Sequence, residues 1–462
     1  MPVPARKAGL LLLHPGSLYG GSWAGAQPLK AALVGLYSFL RAHDAPVAVL
    51  DLQTELGNPA PEQVPEFVQR GAERLLSFDF DVLGISCWSS LEYLAAVEFA
   101  ERARAARPRA LIVVGGYHPT AKPGDFTYAG SPFDVVVTGE GELALLELLR
   151  AGPTRGAAGP ARVVEGDPLP LDRLYFDLEG YPYVRAGRQP GVALYLSRGC
   201  PHRCAFCMEA SKGRGWRHLS VADALEAVRR ASAWRPNVIV FCDACFGHLK
   251  TWRREFLTRL DEMDVGIPFW AEMRADTMTA ADLDLFERCE FYLQFGVETM
   301  SPRMAEIMRK TTNGERYVGA VDETLREVNR RRILAKAFTI LNHPGDGPGP
   351  AEETVSYYER FVAEHERLTV IVNVMEYQHF VGSDVDRRLA HYERAYGTRI
   401  GHPTWYREHG PQSELARDNL ASAGFDDVDA YVERIKALQP RIVGKMPAAQ
   451  KLQFLRHLQH VG

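Results

Sequence analysis

The feature that most constrains this chain is a short loop that carries three cysteines. Cys200, Cys204 and Cys207 are separated by three and then two residues, and the loop directly follows an apolar run at residues 192–196. A cuboidal four-iron four-sulfur cluster is built for four cysteines, so three thiolates on one loop leave one iron without a protein ligand. The loop therefore predicts an iron-sulfur cluster whose open iron is available for chemistry.

Two other interpretations of the loop remain open. A structural zinc site requires four ligands, and the fourth would have to be His202, His218 or a distant cysteine at an irregular spacing. The three thiols could also be together by chance, although reduced cysteines are usually dispersed and buried singly. The cluster is preferred because it requires no further protein ligand.

The composition predicts a multidomain protein of the cytoplasm. A chain of 462 residues with 46% hydrophobic residues has room for two or three full-sized cores. The net charge is -4 and the one basic run, at residues 330–332, ends a helical pattern, so nucleic acid is not an expected partner. No charged leader opens the sequence, and no apolar stretch reaches the roughly 18 to 20 residues that span a bilayer. A reducing compartment suits the free thiols and an oxygen-sensitive cluster.

The first third of the chain alternates short apolar runs with amphipathic helical patterns. This alternation is typical of a parallel sheet covered by helices on both faces, and it predicts a doubly wound, flavodoxin-like or Rossmann-like α/β domain at residues 1–150. The predicted strands are residues 9–13, 47–52, 82–86, 110–114 and 134–138.

Unusual loops follow the strands of this domain. Ser86 ends the third strand, Gly115, Gly116 and His118 follow the fourth, and Gly139 and Glu140 follow the fifth, while residues 14–25 form a glycine-rich loop after the first. Ligands of doubly wound sheets bind beyond the carboxyl ends of the strands, and glycine lets a ligand approach the backbone closely. Ordinary tight turns are the alternative for any single glycine pair, but the combination predicts a binding site.

The rest of the chain predicts a linker, a barrel and a helical tail. Glycine and proline are frequent in the linker at residues 151–190. Six strand and helix units at residues 191–385 predict a partial (β/α)6 barrel, in which catalytic groups gather at the carboxyl ends of the strands. The cysteine loop follows the first of these strands. The tail at residues 386–462 has a helical pattern, and its apolar segment 403–406 either packs against the tail's own domain or serves as a substrate lid. The predicted barrel strands are residues 192–196, 237–241, 269–273, 291–297, 333–341 and 368–375.

The cysteine spacing, with Phe206 in the aromatic place, resembles the CxxxCx(aromatic)C signature of the radical S-adenosylmethionine (SAM) enzymes. With Ser86, the GGxHxT segment at residues 115–120 and the GEGE segment at residues 139–142 before it, the chain resembles the cobalamin-dependent members of that family. The resemblance implies an N-terminal cobalamin-binding domain, a radical SAM barrel, and three cofactors: a 4Fe-4S cluster on Cys200, Cys204 and Cys207, SAM at its open iron, and cobalamin.

One element of other cobalamin proteins, the DxHxxG segment, is missing. Its place contains His14, and no acidic residue in the sequence around it is placed to orient an imidazole toward cobalt. The resemblance therefore implies cobalamin bound without a protein histidine on cobalt.

The barrel strand ends carry the residues that the resemblance implies for SAM. Glu272 and Arg274 close the third strand, and Glu298 closes the fourth in a segment that resembles the family's GxES; surface ion pairs are the alternative for all three. Arg198 could neutralise the charge of the cluster.

Further residues at the ends of the barrel strands have more than one possible role. Cys242 and Cys245 form a CxxC that could be a redox pair or hold a second cluster, and we expect free thiols. Asp243 occupies a place where the family often has an acid. His343 could be an acid or base toward the substrate, or a turn residue.

The activity that the resemblance implies is methyl transfer. Reductive cleavage of SAM yields a 5'-deoxyadenosyl radical, and a methyl group from cobalamin then reaches an unactivated carbon of a small-molecule or peptide substrate in specialised metabolism. A flavodoxin or ferredoxin type electron donor is the expected partner. The alternatives are ring contraction, cyclisation or oxidation with the same cofactors, or a cobalamin-binding regulatory protein with a degenerate barrel.

Overall fold

The structure is a computed structural model. It describes residues 6–18, 29–152, 159–171, 176–184, 191–209, 215–408, 421–422, 425 and 427–461. Residues 19–25 of the glycine-rich loop predicted after the first strand, and parts of the predicted linker and tail, lie outside these residues.

A parallel sheet forms the first part of the chain. Its strand order is β2-β1-β3-β4-β5-β6, so β2 lies on one side of β1 and the other four strands follow on the opposite side. This order creates a switch point between β1 and β3, where doubly wound folds bind ligands. The strands are β1 (Arg6–His14), β2 (Val47–Asp51), β3 (Phe78–Ser86), β4 (Leu111–Gly115), β5 (Val135–Gly139) and β6 (Arg162–Gly166).

The sixth strand corrects the sequence prediction, which had five. β6 comes from the predicted linker and pairs in parallel with β5. Its side chains are mostly exposed, because an edge strand does not require a continuous apolar run on both faces. The hydrophobic pattern therefore gave no signal for it.

Helices cover both faces of the first sheet because successive side chains of a strand point to opposite sides. Leu10 and Leu12 of β1 pack with α1 and α6, whereas Leu11 and Leu13 pack with α3 and α4. The helices are α1 (Ala31–Ala42), α2 (Leu52–Leu56), α3 (Val64–Leu76), α4 (Tyr93–Ala106), α5 (Tyr117–Ala121) and α6 (Gly141–Arg150).

The second sheet is also parallel and has six strands in the order β14-β13-β12-β11-β10-β7. Neighbours in the sheet are neighbours in the chain, as in a partial (β/α)6 barrel, which agrees with the predicted architecture. Its core is continuous with the α1 and α6 face of the first sheet. The strands are β7 (Val192–Leu194), β10 (Ile239–Phe241), β11 (Phe269–Met273), β12 (Phe291–Glu298), β13 (Ala335–Leu341) and β14 (Val370–Glu376), while β8 (Ser197–Arg198) and β9 (Arg217–His218) form a separate antiparallel pair.

Helices follow the barrel strands and form the end of the chain. Two short strands in the tail, β15 (Thr398–Arg399) and β16 (Ala421–Ser422), pair with each other. No helix in the part of the chain that the structure describes has the length and apolarity to cross a bilayer. The helices are α7 (Val221–Ser232), α8 (Lys250–Glu262), α9 (Ala280–Arg288), α10 (Pro302–Ile307), α11 (Gly314–Arg331), α12 (Pro348–Glu364), α13 (Asp384–Arg387), α14 (Leu389–Tyr396), α15 (Val428–Lys436), α16 (Gln439–Lys445) and α17 (Ala448–Val461).

The apolar segment of the tail packs into the core of the first domain and against the loop after β14, where Trp405 Nε1 donates to His379 O at 2.6 Å. Trp405 and Tyr406 are buried in the core on the α3 and α4 side. The Tyr406 hydroxyl donates to Asp125 Oδ2 at 2.5 Å, and Arg407 pairs with the same carboxylate. Both alternatives are therefore wrong, because the segment is buried against the first domain and not against the tail's own domain, and a buried segment does not serve as a lid. The segment fastens the tail to the first domain.

Candidate functional site

A cavity of about 550 Å³ lies between the carboxyl ends of the first sheet and the cysteine loop of the barrel. Its volume is in the range of small-molecule and cofactor sites. From the first domain it is lined by five residues that the sequence predicted, and from the barrel by the segment around the cysteine loop and by Cys242. The five predicted residues are Ser86, Gly115, Gly116, Gly139 and Glu140, and the barrel segment includes Tyr195, Ser197, Arg198 and Gly199.

Gly116 shows why glycine is required at this edge of the sheet. Its φ is +125°, and a Cβ atom added there would lie 2.3 Å from the carbonyl oxygen of Cys87. No other residue fits, because the loops after β3 and β4 approach each other closely here, and Gly116 itself lines the cavity. A backbone cradle of this kind suits a large cofactor that must approach the strand ends closely, so the cavity fits cobalamin.

No histidine lines this cavity among the residues that the structure describes. His118 is fully buried, and its Nε2 lies 3.0 Å from Asp125 Oδ2. The structure thus places His118 behind the cavity wall, although the sequence predicted a cofactor contact for it. Its role in the GGxHxT segment is to anchor that turn to Asp125.

His14 is also buried, at the end of β1, and it does not line the cavity. The expectation that no acidic residue accompanies it was wrong, because Asp51 at the end of the neighbouring strand β2 places its carboxylate 3.7 Å from His14 Nδ1. The same nitrogen accepts a hydrogen bond from the Gly16 backbone at 3.2 Å. Burial lowers the pKa of His14 to about 4, so the imidazole is neutral near pH 7.

The three cysteines lie on the loop after β7 and β8, and this loop is anchored at Ala205, between the second and third cysteines. The Ala205 backbone donates to Met308 O at 2.8 Å, and the Val385 backbone donates to Ala205 O at 3.1 Å. Phe206 packs edge-on against His343. Burial raises the pKa of the Cys207 thiol to about 12, so a thiolate forms there only as a metal binds and displaces the proton.

Arg198 joins the cysteine loop to the first domain. Its guanidinium donates to Glu140 Oε2 at 2.8 Å and to Glu142 Oε1 at 2.5 Å. Arg217 on β9 pairs with the other oxygen of Glu140. The GEGE carboxylates therefore hold the two domains together at the cavity, and Arg198 is engaged by them in a way that the sequence did not indicate.

Two of the three predicted SAM-contacting residues lie together beside the cysteine loop. Arg274 Nη1 lies 4.0 Å from Cys204 Sγ, and its other terminal nitrogen donates to Lys310 O at 2.7 Å. Lys310 Nζ in turn lies 3.4 Å from Glu298 Oε1. Burial raises the pKa of Glu298, and Lys310 and Arg274 oppose this shift. Glu272 lies on the adjoining strand β11 with an exposed side chain.

The backbone at Glu298 is strained. Its φ is +64°, in the left-handed region, and the register between β12 and β13 shifts at this point. A non-glycine residue held in this region costs on the order of 1–3 kcal/mol and is often found at functional sites. The bulge turns the Glu298 carboxylate toward Lys310 and away from the regular pleat.

The remaining strand-end residues have structural partners. Asp243 accepts hydrogen bonds from the Leu196 backbone at 2.8 Å and from Ser197 Oγ at 2.6 Å, so it fixes the start of the cysteine loop. Burial raises the pKa of Asp243 to about 6. His343 is buried, and burial lowers its pKa to about 4. It packs against Phe206 and Tyr377. These contacts favour the alternative that His343 is a structural residue of the turn.

The two thiols of the CxxC face different surroundings. Cys242 lines the large cavity, whereas the Cys245 thiol contacts Cys200. Neither forms a disulfide, and the absence of a second cluster stays a prediction. Lys310, Glu142 and Arg217 were not among the individual site residues predicted from the sequence. The GEGE segment contained a signal for Glu142, but Lys310 lies in no motif.

Comparison with known protein families identifies two domains on the chain. Residues 30–149 match the B12-binding domain family, and residues 194–358 match the radical SAM superfamily. The first match covers the strands and loops of the large cavity, and the second covers the cysteine loop and most of the barrel.

Individual relatives have low sequence identity. An uncharacterised methyltransferase of Pyrococcus horikoshii is 24% identical over 65% of this chain and 68% of its own length. The 2-(S-pantetheinyl)-carbapenam-3-carboxylate methyltransferase of Streptantibioticus cattleyicolor is 30% identical over 40% of this chain, and the match spans only 31% of that enzyme.

A solved structure has the same fold over almost the whole chain. The radical SAM methyltransferase TsrM from Kitasatospora setae, with tryptophan substrate and a SAM analogue bound, superposes with a TM-score of 0.67. The superposition covers 96% of this chain and 90% of the TsrM chain, and the two sequences are 16% identical. With a B12-binding domain followed by a radical SAM domain, and with methyltransferases among its relatives, the chain belongs to the cobalamin-dependent radical SAM enzymes.

Proposed function

We propose that this protein is a methyltransferase that transfers a methyl group from cobalamin to an unactivated carbon of a small-molecule or peptide substrate. The observation that carries the proposal is the single cavity that runs from the B12-domain loops to the cysteine loop. The cavity reaches Ser197, Arg198 and Gly199, the residues that lead into the cysteine loop. A substrate held there would lie between the two cofactors, so that its radical could be methylated without diffusing away.

The residues of the chain have separate tasks in this proposal. When bound, the cluster and SAM supply a 5'-deoxyadenosyl radical, and cobalamin supplies the methyl group. Cys200, Cys204 and Cys207 hold the cluster. Arg274 and Glu298 are placed to orient the carboxylate and amino groups of SAM beside Cys204. The apolar floor of the cavity excludes water from the radical, and its residues include Leu12, Leu33, Leu36, Val113, Val137 and Leu145.

The wider assignments follow from the same proposal. We propose domain limits of 1–150 for the cobalamin domain, 151–190 for the linker, 191–385 for the barrel and 386–462 for the tail. An external flavodoxin or ferredoxin type protein would supply the electron.

The stoichiometry of the by-products tests methyl transfer. Each turnover should consume SAM twice, once as methyl donor and once as radical source, so S-adenosylhomocysteine and 5'-deoxyadenosine should accumulate in about equal amounts with the true substrate. Deuterium at the attacked carbon should appear in 5'-deoxyadenosine. Mass spectrometry of an anaerobic reaction measures both.

The rival reactions give a different result in the same experiment. If 5'-deoxyadenosine accumulated with substrate while S-adenosylhomocysteine stayed at background and the product gained no methyl mass, the reaction would be a rearrangement, cyclisation or oxidation. If neither compound appeared and no iron were bound, the regulatory alternative would be supported.

The coordination of cobalt is a second test. Because His14 and His118 are buried and do not line the cavity, we expect cob(II)alamin in this protein to show no nitrogen splitting from a histidine of the protein. Electron paramagnetic resonance measures this directly. A nitrogen triplet that disappeared in His14→Ala or in His118→Ala would contradict the expectation.

A further inference from the structure

A second group of metal-binding side chains lies beside the cysteine loop. One ligand atom each from His202, Cys245 and His248 lies within 4.8 Å of the other two. His202 stands between the first two cysteines of the loop, whereas Cys245 and His248 follow β10. The group therefore spans two segments of the barrel rim.

The three side chains are held in place by their surroundings. The rings of His202 and His248 meet edge to face with centroids 5.1 Å apart, and Trp216 packs against His248. The Phe246 backbone donates to Glu272 O at 2.9 Å, and Arg253 donates to Gly247 O at 2.9 Å. These two bonds fix the backbone at Phe246 and Gly247, which lie between Cys245 and His248 in the chain. Cys245 is only 4% exposed.

One nitrogen of His202 lacks a partner within the protein. Nε2 is buried and has no hydrogen bond to any described residue. An imidazole nitrogen that is removed from water without a partner costs free energy, and a metal ion would satisfy it.

We propose that His202, Cys245 and His248 bind one Zn²⁺ ion, distinct from the iron-sulfur cluster. Imidazole nitrogen and thiolate sulfur are the ligands that zinc prefers, with bonds of about 2.0–2.1 and 2.3 Å. Ligand atoms around tetrahedral zinc are about 3.3–3.8 Å apart by these bond lengths, so side-chain shifts of about an ångström close the site. Zinc bound here ties the cysteine loop to the loop after β10 and retains one open coordination position.

The test uses holoenzyme reconstituted anaerobically to about four iron atoms per chain. After incubation with ZnSO4 and desalting, we expect one zinc per chain with no loss of iron, measured by elemental analysis. Absorption at the zinc K-edge reports zinc alone even when iron is present. It should show one sulfur and two nitrogen neighbours from the protein.

The decisive variant is His248→Ala, because His248 lies outside the cysteine loop. It should keep its iron and retain less than about a tenth of the zinc, since even indirect partners of metal ligands contribute tenfold or more to affinity. The matched control is His218→Ala, which removes another histidine that packs on Trp216, and Cys242→Ala is the thiol control. Both should bind zinc normally.

Two results would overturn the proposal. Zinc retained in full by His248→Ala would exclude the site. Zinc that entered only as iron was lost, with mainly sulfur neighbours at the K-edge, would show that the cysteine loop had bound it instead. If His248→Ala failed to take up iron, the neighbour count at the K-edge of the unaltered protein would decide.

Discussion

Protein in which Cys200, Cys204 and Cys207 are all replaced by alanine is expected to carry no iron above background after anaerobic reconstitution. The unaltered chain should carry about four iron atoms, by the stoichiometry of the cluster. The three thiols share one loop that is anchored at Ala205 to both Met308 and Val385. No other cysteine lies on this loop, so the loop cannot bind the cluster when the three thiols are removed. Cleavage of SAM should be lost entirely, because the open iron is absent.

Cys289→Ala is the matched control for this prediction. Cys289 is buried, and its thiol donates to Leu257 O at 3.4 Å in a different part of the barrel. Its replacement should leave the iron content unchanged. Replacing Cys242 and Cys245 together should also leave about four iron atoms. Iron retained in the triple variant would mean that the cluster is held elsewhere, and a fall by half in the double variant would indicate a second cluster.

The sequence predicted the sheets well because their strands are buried on both faces. Such strands are nearly continuous apolar runs that are bounded by turn residues, and all eleven predicted strands are present in the two six-stranded sheets. The sequence also predicted that residues at the ends of these strands line a binding site, and Ser86 at the end of β3 and Gly116 after β4 do line the cavity. The position of a strand end fixes which edge of the sheet the next residue occupies.

Side-chain pairing could not be predicted in this way. Arg198 meets Glu140 and Glu142 only because the two domains pack together, and these partners are 58 and 56 residues away along the chain. Asp51 reaches His14 because β2 lies beside β1, and Lys310 reaches Glu298 from a segment with no motif. Periodicity contains no information about which charged groups meet across such an interface.

Replacing Arg198 with methionine is expected to destabilise the contact between the two domains by about 3–5 kcal/mol, the usual cost of removing one partner from a buried ion pair. Methionine keeps the length of the aliphatic stem but no charge. Glu142, whose side chain is 4% exposed, would then be buried without its cation, whereas Glu140 keeps Arg217. Urea unfolding of the variant and the unaltered protein, followed by tryptophan fluorescence, measures the difference.

The pH dependence of this difference follows from Glu142. Burial favours the neutral carboxyl, but Arg198 more than offsets it, so the pKa of Glu142 lies below its usual value of 4.5. The ion pair therefore stabilises the unaltered protein above that value and is lost as the pH falls through the lowered pKa. In the Arg198→Met variant, Arg198 no longer opposes the effect of burial, so the pKa of Glu142 rises. The stability gap should be largest near pH 8 and should shrink toward pH 4.

A double-mutant cycle separates the ion pair from the loss of packing. Adding Glu142→Gln to Arg198→Met removes the uncompensated charge, so it should restore more than half of the lost stability at pH 8 and very little at pH 4. Arg229→Met is the control, because Arg229 pairs with Glu226 on an exposed face of α7 and exposed ion pairs contribute little to stability. If Glu142→Gln gave no recovery at pH 8, the contribution of Arg198 would lie in the packing of its stem, and the carboxylates of the GEGE segment would be free to face the cofactor.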